Sequence, residues 1–216
     1  MLASQPPEEI DEPCGSCTVR TTYRIPAPLV LEWEAGSDKI GDFVWPGGGR
    51  VALTKTAFDQ LAASSLAVQA GPIEMIQDPK LRKPTRKGKG KPRVWLPYGG
   101  PPLVELVVQE SVSFLPKTTT KIRNRCEVCG AEALDLDGVE EKGTRWDPKR
   151  QDLVRYRKPR VAGKGIFISA AALGERSIFR IAEPFSSGIY CTDNVREFIT
   201  TRQFSNVDFL DFGDIL

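Results

Sequence analysis

The chain contains no histidine. That absence removes Ser-His-Asp and Cys-His catalysis, phosphate transfer through histidine, and every metal site with an imidazole ligand. Carboxylate pairs and lysine nucleophiles pass this filter. Long apolar runs are missing too. The longest are short, such as Leu103–Val108, against the ~20 residues of a transmembrane helix. Met1–Pro13 is acidic and Pro-rich and lacks the apolar core of a signal peptide, so a cytoplasmic location is expected. No Gly-x-x-x-x-Gly-Lys-Ser/Thr pattern occurs, and the Gly-Lys-Gly at Gly88–Gly90 has no strand-to-helix setting. Acid pairs such as Asp135 and Asp137 are too generic to define a site. The expectation is a protein that is not an enzyme.

What is present fits a globular protein. The chain has 216 residues, 40% of them hydrophobic and 27% charged, enough to bury a sizeable core. The net charge is +2, but it is unevenly spread. Lys80–Arg93 carries eight basic residues and no acid, and the remaining 22 basic and 28 acidic residues leave a body of charge −6.

The pattern along the chain predicts an α+β fold. Residues 1–13 read as a flexible leader. Strands are expected at Leu29–Trp33, Gly41–Trp45, Val51–Leu53, Ile73–Ile76, Leu103–Val108, Val112–Leu115, Gly165–Ser169, Ile178–Ile181, Gly188–Cys191 and Phe209–Phe212. Thr54 reads as the N-cap of a helix whose apolar face is Ala57, Phe58, Leu61 and Ala62. Asn194–Arg202 reads as a second helix. Residues 78–97 form a basic loop, and 138–165 is charged with no clear periodicity. Val51–Thr54 aligns with Ile189–Thr192, and Ala57, Asp59 and Leu61 then meet Val195, Glu197 and Ile199. Residues 14–216 are therefore expected to form one domain made of two strand–helix–strand halves, 14–77 and 126–216. Two strand–helix units that merely look alike would give a similar alignment.

Four of the five cysteines form pairs, Cys14-Gly-Ser-Cys17 and Cys126-Glu-Val-Cys129. Two residues between cysteines let both thiolates of a knuckle reach one ion, and two knuckles supply the four ligands of a structural Zn²⁺. With 108 residues between Cys17 and Cys126, such a site would clamp distant segments together rather than build a local finger. Cys-x-x-Cys pairs also serve as redox dithiols, disulfides and iron–sulfur ligands. A redox pair normally opens a helix after a strand, whereas Cys14 follows a Pro-rich stretch. Zinc is the expected cofactor. Cys191, in an apolar context, is expected to be a buried small hydrophobe.

Two distant pairs, each opening a half of similar plan, resemble the double-CXXCG-motif family. Further stretches that match in kind are Gly41-Asp-Phe-Val-Trp45, Ala57–Leu61, Ile178–Phe185 and Phe209–Phe212, covering nearly the whole chain from Pro13. The family is best known from myxobacteria, where members are immunity proteins against lipoprotein toxins exchanged between cells. Thr18 stands where the first motif would have its glycine, and Lys80–Arg93 has the look of an insertion. The resemblance implies a non-catalytic, zinc-containing protein that binds and neutralises a cognate toxin.

Two partner surfaces follow from the residues. Glu183, Asp193, Glu197, Asp208, Asp211 and Asp214 lie among aromatics and suit a basic protein partner. Alternatively, Lys80–Arg93 and Arg145–Lys164, with Trp95, Tyr98, Trp146 and Tyr156 beside them, suit nucleic acid.

Overall fold

β-Rich triplets separated by Gly, Pro and charged turns fold here into many short ladders rather than one large sheet. The structure is a computed structural model. It describes residues 2–4, 8–9, 14–17, 23–24, 28–33, 40–47, 49–64, 66, 68–76, 98–108 and 111–216. The basic loop at 78–97 lies outside these residues, as does Thr18.

In chain order the strands before the first helix are β1 (Leu2–Ser4), β2 (Glu8–Glu9), β3 (Tyr23–Arg24), β4 (Leu29–Trp33), β5 (Phe43–Gly47) and β6 (Arg50–Thr54). Helix α1 (Lys55–Ala63) precedes β7 (Gln69–Gly71), β8 (Ile73–Ile76), β9 (Leu103–Val107), β10 (Ser111–Val112), β11 (Thr120–Arg125), β12 (Glu132–Leu136), β13 (Glu141–Asp147), β14 (Asp152–Lys158) and β15 (Ile166–Ile168). Helix α2 (Ala170–Leu173), β16 (Ile178–Ile181), β17 (Tyr190–Cys191), helix α3 (Asp193–Thr201) and β18 (Gly213–Ile215) complete the chain. The fold is mixed α+β and mostly β.

A common set of pairings occurs in the early and the late part of the chain. Strand β4 runs parallel to β8, and β15 runs parallel to β18. Strand β5 is antiparallel to β6, and β16 is antiparallel to β17. Ser4 pairs antiparallel with Leu31, and Phe114 bridges antiparallel to Ile168. The ladder β2–β3 flanks Cys14 and Cys17 as the ladder β11–β12 flanks Cys126 and Cys129. Just before each long helix, Thr54 N–H donates to Asp42 O at 3.0 Å and Thr192 N–H donates to Ser177 O at 3.0 Å.

The long helices share one core. Ala57, Phe58 and Leu61 of α1 are buried with Val195 and Ile199 of α3, together with Phe43, Val51, Leu53 and Leu106. A second core gathers Val112, Ile166, Ile168, Leu173, Phe179, Ile181 and Phe185. Polar ties join early and late segments. The half-buried Arg180 donates to Val108 O at 3.1 Å, Ser186 O at 3.0 Å and Gly49 O at 2.6 Å. A Cβ at Gly49, where φ is +67°, would come within 2.7 Å of Ser187 O, so this crossing requires glycine.

Several expectations are corrected. Leu2–Ser4 and Glu8–Glu9, inside the stretch read as a flexible leader, are strands. Phe209–Phe212 is not a strand. Phe209 and Phe212 instead pack singly against the two cores, and the terminal ladder is β18. There Gly213 passes so close that a Cβ would lie 1.7 Å from Ile166 O. The stretch 138–165 contains the regular ladder β13–β14. Its side chains are mostly exposed, so no apolar alternation marks it in the sequence. Thr192 occupies the cap position of α3, but its side chain makes no capping bond, unlike that of Thr54.

Candidate metal centre

Each Cys-x-x-Cys pair sits in a tight turn. Cys17 N–H donates to Cys14 O at 3.1 Å, and Gly130 N–H donates to Cys126 O at 2.9 Å. Gly130 adopts φ +70°, a conformation that disfavours other residues. Cys126 N–H donates to Ala131 O at 2.8 Å, closing the turn at the end of β11–β12.

The two turns face each other. Cys14 Sγ lies 3.9 Å from Cys126 Sγ, and Cys17 Sγ lies 3.6 Å from Cys129 Sγ. All four sulfurs fall within 4.8 Å of one another, with Cys126 buried and the others half-buried. Metal–sulfur bonds of about 2.3 Å in a tetrahedron place sulfurs about 3.8 Å apart, which matches these separations. A disulfide requires about 2.05 Å. A multi-iron cluster divides the thiolates among two or more irons and so spreads the set further than one shared ion does. The set therefore fits a single tetrahedral ion. Among the described residues, these four make the site.

The local field favours thiolate. Backbone N–H groups of Cys129, and then Val128, donate to Cys126 Sγ and, with the Cys17 thiol, bring its pKa down to about 6. This is the arrangement in which a turn's amides neutralise a metal-bound sulfur. Cys191 is outside the cluster, packed against the core of α1 and α3. Desolvation, and then Asp193, pushes its thiol up to about 11, so it is an inert thiol, half-buried where full burial is expected from the sequence.

The acids read as a partner surface have other occupations. Arg160 grips Asp214 with two bonds, Nη1 at 2.9 Å and Nη2 at 2.6 Å, and its Nε lies 2.9 Å from Asp211. Asp208 is paired to Lys142 and lies 3.9 Å from Arg157. Arg157 pairs with Glu140 and donates to Phe209 O at 3.0 Å. These acids therefore fasten the C-terminal segment to the β13–β14 region. Asp193 pairs with Arg196 at 3.4 Å, and Glu183 accepts from the Ser186 hydroxyl. Of the basic and aromatic residues expected at a nucleic-acid surface, Trp95 and Lys80–Arg93 lie outside the described residues. Trp146 is exposed on β13, and Arg145 lies over the Tyr156 ring at 5.9 Å. No described helix is long and apolar enough to cross a membrane.

The β11–β12 and β13–β14 ladders were absent from the sequence expectations. The available signal was β-propensity, with Thr, Trp, Val and Tyr set among charges in Thr144–Trp146 and Leu153–Tyr156. No protein-family model, curated protein or solved structure matches the chain.

Proposed function

We propose that this chain is a non-catalytic cytoplasmic binding protein, made of two copies of one topological unit and locked by a structural Zn²⁺ on Cys14, Cys17, Cys126 and Cys129. The convergence of four sulfurs from two similar turns carries the reading. Four thiolates fill a tetrahedral shell, so no position is left for substrate or activated water. All-sulfur ligation in a tetrahedron suits zinc or iron, and zinc adds no redox chemistry. The recurring pairings and the shared helix core support duplication. A ladder, a Thr before a helix, and a returning parallel strand occur in the same order twice.

The partner in this proposal is a cognate bacterial toxin, which the protein neutralises as an immunity protein. Support comes from the order of the two cysteine motifs and the stretches that resemble the double-CXXCG family. The test is co-expression with the product of the adjacent reading frame. Growth arrest by that product alone, relieved by this chain, is the expected result. Arrest that persists at equal expression contradicts the toxin reading and leaves the metal site to be judged separately.

A further inference from the structure

The β13–β14 ribbon presents two unlike faces. Its register pairs Lys142 with Arg157, Thr144 with Arg155, and Trp146 with Leu153. Alternation places these six side chains on one face and Glu141, Asp147 and Asp152 on the other. The first face thus has no acid of the ribbon. All six of its residues are exposed, Trp146 at 59% and Leu153 at 62%. The opposite face is half-buried at Gly143, Val154 and Tyr156.

Along the exposed face the charges have distinct tasks. At the base, Lys142 and Arg157 are engaged by Asp208 and Glu140. Further out, Arg155 forms no ion pair among the described residues, nor does Lys149 in the turn beyond Trp146. An exposed aromatic–aliphatic pair is therefore flanked along the ribbon by two unneutralised cations. The cross-strand pair of Trp146 and Leu153 steadies the ribbon and also offers an exposed apolar contact. Large aromatics leave water for a partner, and a ring between two cations fits a base between two phosphates.

We infer that this face of β13–β14 is a binding site for single-stranded nucleic acid, with Trp146 stacking on a base and Lys149 and Arg155 contacting the flanking phosphates. An anionic lipid surface shares the phosphate chemistry but fits less well. The leading turn, Pro148-Lys149-Arg150-Gln151, is polar, so the apolar pair lies on the side of the ribbon and not at an inserting tip. The site is independent of the toxin reading.

The test is fluorescence anisotropy of the full, metal-loaded chain with labelled single-stranded DNA and RNA of one mixed sequence, about 15 nucleotides long. Binding to either is expected, weakening steeply between about 50 and about 200 mM salt. Trp146→Ala should weaken it about tenfold or more, with Trp146→Phe within a few-fold of the native chain. The pair Lys149→Gln and Arg155→Gln should reduce the salt slope by about one to two. All positions changed are exposed, so the melting temperature serves as the check that folding is intact. Three outcomes overturn the proposal. They are no binding at low salt, binding unchanged by Trp146→Ala in a folded variant, or binding to phosphatidylserine vesicles without binding to either oligonucleotide.

Discussion

Cys17 Sγ and Cys129 Sγ lie 3.6 Å apart although 112 positions separate the residues in sequence. The two thiols face the matching pair, Cys14 and Cys126, and the four sulfurs together have the spacing of a metal-binding group. Each turn lies in sequence between the two strands of a ladder, β2–β3 for the first and β11–β12 for the second, and a long helix follows further along the chain.

The two threonines before the helices are predicted to differ in energetic weight. The Thr54 side chain accepts from Ala57 N–H at 3.2 Å. Thr54→Ala should cost about 1 kcal/mol. The Thr192 hydroxyl oxygen is buried and has no hydrogen-bond partner among the described residues. Thr192→Val should be neutral within about 0.5 kcal/mol or stabilising, because a desolvated hydroxyl without a bond is replaced by a methyl. Urea denaturation of both variants measures the difference, and equal losses contradict the assignment.

The shared helix core predicts joint unfolding. Leu61 is fully buried and Ile199 is 3% exposed, in one cluster. Leu61→Ala and Ile199→Ala should each cost about 2–5 kcal/mol, and each variant should unfold in a single transition by calorimetry. Two separated transitions would mean that the early and late parts are independent.

Much of this core was legible in the sequence. The Thr54 cap, the apolar face of α1 and the alignment of Leu61 with Ile199 follow from helical spacing, and the limits of β4 and β8 follow from short apolar runs between breakers. The four cysteines were legible from spacing alone. Exposed ribbons were not. β11 is exposed along its whole length, so no buried side signals it. The ion pairs of the acids were not legible either, because Asp208, Asp211 and Asp214 read as a surface for a basic protein partner. Their partners Lys142, Arg157 and Arg160 lie more than 50 positions earlier, a pairing that local pattern does not reveal.

Those acids are predicted to be structural. Lys142 holds the Asp208 carboxyl below its usual range, and Arg160 does the same for Asp214. Glu140 is lowered by Arg157 and by Asp211 N–H. A lowered folded value means that the contribution is full above the ordinary carboxylate range, near pH 4, and is lost as pH falls through the lowered values. The triple variant Asp208→Lys, Asp211→Lys, Asp214→Lys should therefore melt at least about 2–4 °C lower at pH 7. That deficit should shrink below about pH 4. Exposure and screening keep the effect modest. An unchanged melting temperature at neutral pH would return these acids to free surface.

The central claim is tested most directly by the metal content of the purified chain. Elemental analysis should find one zinc per chain, with Cys14→Ser and Cys126→Ser each losing the ion and much of the stability, and Cys191→Ser retaining it. No metal in the native protein, or iron with labile sulfide in place of zinc, would contradict the account.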